Sequence, residues 1–311
     1  MPGAFLAAAA AALLVCPMAS AGESAPAAGG GDKSKPLAIF VGDSITVGTN
    51  VEAAGLKYKL PDPLPTPRFT AGRYSYVEAL YEATRAKPAF RIDKNCSGGQ
   101  GISGQYSGLK IACRQIFEKR WADVKELPAF LVLQDFEVQT TDADRKANGD
   151  ALREIAAMAA KVPQVKFVAS TVATEPGGMW SATFKPEDIK ATNETLIKTA
   201  EELKLPLIRL DTAWERYFEF AKDKKPAAAW RLTQVGKLYD GVHPGPVGIL
   251  FQALVFAREL GVPAEGFDEN AASLGLPKEQ TAEIKKFVYS WKEPTVVPLP
   301  EAPKGNEPAK P

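Results

Sequence analysis

Short apolar runs alternate along this chain with longer stretches of helical periodicity, and this alternation limits the possible fold more than any other feature. The strand candidates are LAIFV (37–41), FRIDKN (90–95), AFLVLQ (129–134), VKFVAST (165–171) and LPLIRLD (205–211). The clearest helical patterns cover residues 74–86, 143–162, 186–204 and 247–260. Because parallel strands need crossover connections, this order predicts an α/β fold with a mainly parallel five-stranded sheet and helices on both faces.

The first residues of the chain have the composition of an export signal. Residues 1–21 carry no charged side chain, and they end in Ala-Ser-Ala, the small residues that a signal peptidase needs. We therefore expect cleavage after Ala21 and export to the periplasm or out of the cell, with no stable membrane span afterwards. Two alternatives stay open. One is a retained anchor helix, and the other is a lipoprotein signal at Cys16, although Val15 is larger than such a site prefers.

The rest of the chain divides by composition into a linker, a body and a tail. Residues 22–36 are rich in Gly, Ala, Ser and Pro and predict a flexible linker. Residues 293–311 predict a Pro-rich tail. Residues 37–292 lie between them and suit one large domain.

Charge and cysteine content exclude several classes of protein. Lys and Arg total 38 against 37 Asp and Glu, so the basic excess typical of nucleic-acid-binding proteins is missing. After export two cysteines remain, Cys96 and Cys113, and a disulfide and two buried thiols are both compatible with the sequence. Since there is no CxxC pair and no cluster of cysteine with histidine, we expect no metal and no cofactor.

The chain contains a single histidine, His243, in the Gly- and Pro-rich segment YDGVHPGPVG. Asp240 precedes it by three residues, and an acid in that position can fix the tautomer of the imidazole ring. Ser44 follows the first strand candidate, and a serine hydroxyl needs a base within hydrogen-bond reach to act as a nucleophile. Taken separately, His243 could be structural and Ser44 a helix cap. Together, the three residues predict a Ser-His-Asp site.

Two segments resemble the SGNH, or GDSL-type, hydrolases. AIFVGDSITVG (38–48) resembles their first block, and YDGVHPGPVGILFQA (239–253) resembles their last. The resemblance spans about residues 37–262 and implies a flavodoxin-like three-layer α/β/α sandwich that hydrolyses esters. It implies Ser44 as nucleophile, His243 as base and Asp240 as the partner of that base.

The same resemblance implies an oxyanion hole, in which two further blocks of the family take part. The Gly-rich stretch NCSGGQGISGQYSG (95–108) places Gly104 there beside the backbone N–H of Ser44, with Gly98 and Gly101 as rivals. The third block departs from the family, because QDFEVQTT has no asparagine at the expected place. Gln134 is the candidate replacement and Gln139 a weaker one. A hole built only from backbone N–H groups is the third possibility.

Three further features could shape the cleft. Trp180 and Trp230 could stack on a sugar ring or line an acyl groove, although packing within the domain is the favoured explanation for each tryptophan. The Pro-rich insertion after Ser44, residues 50–73, could form one wall.

These observations predict an exported serine esterase that cleaves small acyl esters, acetyl above all, on small-molecule or glycan substrates. The carbohydrate part of this prediction depends on export and on the resemblance alone. The missing asparagine favours an alternative, a catalytically weak SGNH-like carbohydrate-binding protein. A lipase or an acyltransferase of the same fold would use the same residues. A nucleotide-binding flavodoxin-like protein fits less well, because Asp240 and His243 would have no purpose.

Overall fold

The computed structural model of this protein describes most of the chain between residues 35 and 292. The described ranges are 35–52, 72–84, 90–104, 107–120, 127–135 and 137–292, without the side chains of residues 269–272. The predicted signal peptide with Cys16, nearly all of the predicted linker, the tail and most of the insertion after Ser44 lie outside the described residues.

A five-stranded parallel sheet forms the centre of the fold. The strands, in chain order, are β1 (Leu37–Gly42), β2 (Thr49–Asn50), β3 (Arg73–Tyr74), β4 (Arg91–Cys96), β5 (Phe130–Gln134), β6 (Lys166–Ser170), β7 (Leu207–Ile208), β8 (Gln234–Val235) and β9 (Leu238–Tyr239). The central sheet has the order β4-β1-β5-β6-β7, and all of its pairings are parallel. The other four strands form two antiparallel ribbons, β2-β3 and β8-β9. All six residues of β1 are buried, as expected for a strand with a neighbour on each side and helices on both faces.

Helices connect and cover these strands. They are α1 (Ser44–Val47), α2 (Tyr76–Thr84), α3 (Gly108–Phe117), α4 (Asp142–Ala159), α5 (Pro186–Leu203), α6 (Leu210–Ala221), α7 (Pro246–Glu259), α8 (Phe267–Leu274) and α9 (Lys278–Tyr289). The sequence predicts α2, α4, α5 and α7 but misses α3, α6, α8 and α9. The strand predicted over 205–211 is too long, because β7 ends at Ile208 and α6 begins at Leu210.

The order of the strands explains why helices lie on both faces of the sheet. The chain runs outward from β1 to β4 and then returns across β1 to β5, and crossovers between parallel strands are as a rule right-handed. Reversal of direction therefore moves the connecting helices to the other face. On one side α2 contacts α7 and α8, and α7 contacts α9; on the other α4 contacts α3 and α5. The three-layer α/β/α sandwich predicted from the sequence is confirmed.

Aromatic packing joins the central strand to the helices on one face. Tyr76 of α2 stacks on Phe256 of α7 with ring centroids 4.6 Å apart. Phe40 of β1 meets Tyr76 edge-on at 5.9 Å and Phe256 at 6.1 Å. Such pairs contribute about 0.5–1.5 kcal/mol each beyond the area that they bury. The three rings fix β1, and with it the turn that follows, against α2 and α7.

Cys96 and Cys113 are both free thiols, so the disulfide that the sequence allowed is not present between them. Burial raises the pKa of Cys96 to about 11, which keeps this thiol protonated near neutral pH.

Within the described ranges, no helix is both long and apolar enough to cross a membrane. The described residues also hold no group of three or more His, Cys, Asp or Glu side chains suited to a metal ion.

The topology fixes where a ligand would bind. Connections from β1 and from β5 leave the sheet in opposite directions, and this creates a crevice outside the carboxyl ends of these two strands. Gly42 at the end of β1 pairs with Gln134 at the end of β5. Ser44 therefore lies at the mouth of the crevice.

Candidate active site

Ser44 lies in a tight turn between β1 and the short helix α1. Asp43 is the N-cap of α1, and its side chain accepts a hydrogen bond of 2.9 Å from the backbone N–H of Ile45. A Cβ at Gly42 would lie 1.9 Å from Thr46 Oγ1, so only glycine allows the strand to turn this sharply. Because Asp43 caps the helix, the hydroxyl of Ser44 is available for another partner. The interpretation of Ser44 as the cap is wrong.

That partner is His243, which reaches Ser44 from the far end of the sequence. The two atoms His243 Nε2 and Ser44 Oγ are 3.0 Å apart. Thr49 and Pro244 hold the two segments together, because Thr49 Oγ1 donates to the carbonyl of Pro244 over 2.6 Å. The following helix α7 begins directly after this turn, with Pro246 as its first residue.

Asp240 holds the other side of the imidazole ring. His243 Nδ1 lies 3.1 Å from Asp240 Oδ1 and 3.2 Å from Oδ2. The backbone N–H groups of Val242 and His243 also donate to Oδ1, over 2.9 and 2.6 Å. Burial alone would raise the pKa of Asp240. The hydrogen bonds and charge of His243, with the two backbone N–H groups, outweigh burial and hold the pKa below its ordinary value. Asp240 therefore stays ionised and can fix the Nδ1–H tautomer of the ring.

The loop after β6, residues 174–181, clasps the turn that carries Asp240 and His243. Three backbone N–H groups of this loop donate to the turn: Glu175 to Gly241 at 2.8 Å, Met179 to Tyr239 at 3.0 Å and Trp180 to Asp240 at 3.2 Å. A Cβ at Gly178 would lie 2.3 Å from the Cα of Gly241, so the two backbones approach as closely as glycine permits.

A buried carboxylate reinforces this clasp. Glu175 Oε2 accepts from both the backbone N–H and the hydroxyl of Thr233, over 2.8 and 2.7 Å. The same hydroxyl oxygen of Thr233 accepts from the N–H of Gly241 at 3.0 Å. Burial raises the pKa of Glu175 even though Thr233 donates to it. Glu175 thus connects the loop to the segment that precedes the turn.

The two tryptophans considered as pocket walls have different surroundings. The indole Nε1–H of Trp180 donates to Asp240 Oδ2 over 3.2 Å. No sequence signal indicates this contact, because 60 residues separate the two side chains. Trp230 instead meets Phe220 edge-on, with ring centroids 5.9 Å apart, and lies under the ammonium group of Lys224. The packing interpretation fits Trp230.

The glycines considered for an oxyanion hole are not equivalent in space. A Cβ at Gly98 would lie 3.9 Å from the Cβ of Ser44, which places this glycine against the serine. A Cβ at Gly101 would meet Glu137 Oε2 instead, and one at Gly104 would have no atom of the described residues within 4 Å. Among the described residues, the backbone N–H groups of Ser44 and Gly98 make no hydrogen bond. The role of Gly104 stays a prediction, and Gly98 is its stronger rival.

The two glutamines considered as replacements for the asparagine also differ. Gln134 ends β5, is 3% exposed, and its Oε1 accepts from Thr46 Oγ1 over 2.8 Å. Its amide is therefore held against α1, close to the turn that carries Ser44. Gln139 lies beside α5, where its backbone N–H donates to Thr192 Oγ1 over 2.9 Å. Of the two, only Gln134 contacts the helix of the serine.

A buried carboxyl group, Asp135, follows Gln134 at the carboxyl end of β5. Burial, together with the nearby charges of Asp43 and Glu137, raises the pKa of Asp135 to about 8. Hydrogen bonds of 3.1 Å from the N–H of Glu137 and the amide of Asn148 act in the opposite direction without cancelling this effect. Asp135 is therefore mostly protonated at neutral pH.

The fold and this hydrogen-bonded series define an α/β protein with a serine, a histidine and an aspartate arranged as in a serine hydrolase. No family model matches the chain, and no curated protein matches it in sequence. Similar solved structures include LAE5, an alpha/beta hydrolase enzyme from the metagenome of Lake Arreo, Spain, with 18% identity and a TM-score of 0.49 over 73% of this chain and 95% of that chain.

Two other similar structures carry esterase or lipase names. The acetylxylan esterase Axe2 from Geobacillus stearothermophilus has 18% identity and a TM-score of 0.46, over 73% of this chain and 95% of that chain. A GDSL-like lipase from Parabacteroides merdae has 15% identity and a TM-score of 0.45, over 81% of this chain and 96% of that chain. At such identities the functional assignment depends on the geometry of the site.

Proposed function

We propose that this protein is a serine esterase that cleaves small acyl esters through an acyl-enzyme intermediate. The observation that carries the proposal is the continuous series of contacts from Ser44 Oγ to His243 Nε2, at 3.0 Å, and from His243 Nδ1 to Asp240, at 3.1 Å. A serine nucleophile needs a base at this distance and an acid that orients the base. The location of Ser44 at the crevice between β1 and β5 supports the same proposal.

In the proposed reaction, His243 Nε2 takes the proton of the Ser44 hydroxyl while Oγ attacks the ester carbonyl carbon. The tetrahedral intermediate collapses as the C–O bond to the alcohol breaks, and His243 returns its proton to the departing alcohol. Water then repeats the sequence on the acyl-serine and releases the acid. Asp240 remains ionised throughout, stabilises the imidazolium and keeps Nε2 directed at Ser44.

The negative charge on the carbonyl oxygen needs hydrogen-bond donors. The backbone N–H groups of Ser44 and Gly98 support this role, because they make no other hydrogen bond among the described residues and Gly98 lies against Ser44. Gln134 offers a side-chain amide next to α1, and Gly104 remains the glycine that the family resemblance favours. Each donor that acts contributes about 2.7–4 kcal/mol in the transition state.

For the substrate, we propose an acetyl ester on a carbohydrate, met outside the cytoplasm. The composition of residues 1–21 supports export, which would bring the protein into contact with extracytoplasmic glycans. Determining the N-terminal residue of the exported protein tests this part. A mature chain that begins at Gly22 agrees with the proposal, whereas a lipid-modified Cys16 or an intact N-terminus contradicts cleavage after Ala21.

Labelling with a fluorophosphonate probe tests the esterase proposal directly. We expect covalent labelling at Ser44, and turnover of 4-nitrophenyl acetate that is lost in Ser44→Ala. If the wild-type protein shows neither labelling nor turnover, the esterase proposal is wrong and the carbohydrate-binding alternative is favoured. With active protein, acetylated sugars, esters of increasing chain length and an added alcohol acceptor separate a carbohydrate esterase from a lipase and from an acyltransferase.

A further inference from the structure

One oxygen of the Asp240 carboxylate, Oδ2, has a hydrogen-bond partner outside the Ser-His-Asp series. Oδ1 receives two backbone N–H groups, from Val242 and His243, and therefore has fixed partners within its own turn. In the described part of the chain, the partners of Oδ2 are side chains and no backbone N–H donates to it. Apart from the imidazole of His243, the donor to Oδ2 is the indole Nε1–H of Trp180, at 3.2 Å.

We propose that Trp180 is a positioning residue that sets the rotation of the Asp240 carboxylate and thereby the direction of the His243 ring. This inference rests on the proposed function and adds a fourth member to its hydrogen-bonded series. The torsion that rotates a carboxylate about its Cβ–Cγ bond is broad and has no strong intrinsic preference. The donors around the carboxylate therefore decide its rotation: two backbone N–H groups hold Oδ1, and Trp180 holds Oδ2.

The backbone holds Trp180 firmly enough for this role. Its own N–H donates to the carbonyl of Asp240 over 3.2 Å, and the N–H of Met179 donates to Tyr239 over 3.0 Å. The ring and the carboxylate are thus connected twice, through the main chain and through the side chains. Thr183 and Phe184 donate their N–H groups to the carbonyl of Trp180, both over 2.9 Å, and this closes the loop behind it.

Trp180 also lines a cavity whose wall combines apolar and charged side chains. The cavity has a volume of about 640 Å3 and is lined by aromatic residues, Trp180, Phe184 and Trp214 among them, and by charged residues such as Lys190 and Arg209. Neither Ser44 nor His243 is among its lining residues. The indole therefore packs beside this cavity while its N–H has an acceptor in Asp240, which suits an amphipathic ring.

Trp180→Phe tests the proposal, because it keeps an aromatic ring and removes the N–H. We expect kcat for 4-nitrophenyl acetate to fall about tenfold with little change in KM, since the variant keeps an aromatic ring and loses one hydrogen bond to a charged group. Trp230→Phe is the matched control, because its ring packs on Phe220 and is not bonded to Asp240. In an Asp240→Asn background, Trp180→Phe should have no further effect, since the oriented carboxylate is already gone.

A spectroscopic measurement is independent of turnover. The chain has one histidine, so the ring Nδ1–H proton of His243 gives a single assignable resonance. In Trp180→Phe we expect this resonance to move upfield and to exchange faster with water, because the carboxylate is less well oriented. An unchanged resonance, or equal losses of kcat in Trp180→Phe and Trp230→Phe, would overturn the proposal.

If Trp180→Phe does not fold, the reciprocal experiment replaces it. In Asp240→Ala the acceptor is removed, and the indole N–H resonance of Trp180 should move upfield while the other four tryptophans keep theirs. An unmoved Trp180 resonance would show that the contact is too weak to position anything. Ser44 labelling in the wild type is read separately. If Ser44 is not labelled, the esterase proposal is wrong. The resonances of His243 and Trp180 test separately whether Trp180 positions the Asp240 carboxylate.

Discussion

His243 Nε2 lies 3.0 Å from Ser44 Oγ although 199 residues separate the two along the chain. Both side chains come from turns at the carboxyl edge of the sheet, one after β1 and one before α7. The turn of Ser44 follows a strand of the parallel sheet, and the hydrogen bond from Thr49 Oγ1 to the carbonyl of Pro244 holds the turn of His243 against it. The first prediction follows from this contact.

His243→Ala removes the imidazole that lies 3.0 Å from Ser44 Oγ and that we propose as its base. We expect kcat/KM for 4-nitrophenyl acetate and the rate of fluorophosphonate labelling to fall on the order of 10³-fold or more, with Asp240→Asn in the same range. Circular dichroism and thermal melting check that both variants fold. Labelling of His243→Ala at the wild-type rate would mean that another group activates Ser44, and the proposed assignment would be wrong.

Gly98 gives a second prediction, about the oxyanion hole. Gly98→Pro removes its backbone N–H, and we expect kcat to fall about 10²–10³-fold if this group donates to the developing oxyanion. Gly98→Ala is the matched control. It keeps the N–H, and its Cβ would make only ordinary contact with Ser44, at 3.9 Å. Equal activities of the two variants would point back to Gly104.

The raised pKa of Asp135 leads to a prediction about how the free energy of unfolding varies with pH. Its pKa in the folded state, about 8, lies above the value near 4 expected in the unfolded chain. The unfolded state therefore releases the proton first. The stabilising contribution of the protonated form is complete below pH ~4, declines by at most about 1.4 kcal/mol per pH unit above that, and is lost as pH passes 8.

Asp135→Asn should flatten this dependence and stabilise the protein at pH 8–9 relative to wild type. The amide of the new asparagine can retain the contacts with the N–H of Glu137 and with Asn148. If the side-chain amide of Asn148 flips, its Oδ1, which has no hydrogen-bond partner among the described residues, can accept from the new NH2 group. Urea unfolding between pH 5 and pH 9 measures the effect, with exposed Asp223→Asn as the control. A variant whose stability follows the wild-type pH curve would contradict the raised pKa.

A buried ion pair supports the helix that begins with Ser44. Lys94 and Glu78 form a salt bridge, and both side chains are 0% exposed. The Lys94 ammonium also donates to the carbonyls of Thr46 and Val47 near the end of α1, over 3.4 and 3.3 Å. The pair therefore lies directly beneath the serine turn.

Lys94→Met should destabilise the fold by about 3–5 kcal/mol, because it leaves the carboxylate of Glu78 buried without its counter-charge. The double variant Lys94→Met with Glu78→Gln should recover part of this loss, since no uncompensated charge remains. A double-mutant cycle by urea unfolding gives the coupling between them. Additive losses would indicate that the pair contributes packing and little charge interaction.

Local patterns allowed the helices α4, α5 and α7 and the buried strands to be predicted, because period and apolar content are properties of short segments. The same patterns failed for β7 and α6. The run LPLIRLD reads as one strand, yet only Leu207 and Ile208 pair with β6 before α6 begins at Leu210. Pairing ends there because the neighbouring strand β6 ends at Ser170. A tertiary contact set that boundary.

The order and identity of the three site residues were visible in the sequence because one histidine and one nearby aspartate left few alternatives. The alternative in which Ser44 only caps a helix was excluded by the backbone geometry, because Asp43 is the N-cap and Ser44 is the first helical residue. The choice among Gly98, Gly101 and Gly104 likewise depends on which glycine packs against Ser44.

The sequence by itself determined the α/β class with a mainly parallel five-stranded sheet, and the candidates Ser44, Asp240 and His243. These follow from periodicity, composition and the chemistry of side chains, all of which are local. Only the tertiary structure decided that Trp180 donates to Asp240 and that Gly98 lies against Ser44. Contacts between loops distant in sequence are fixed by the packing of the sheet and its helices, and no local pattern records them.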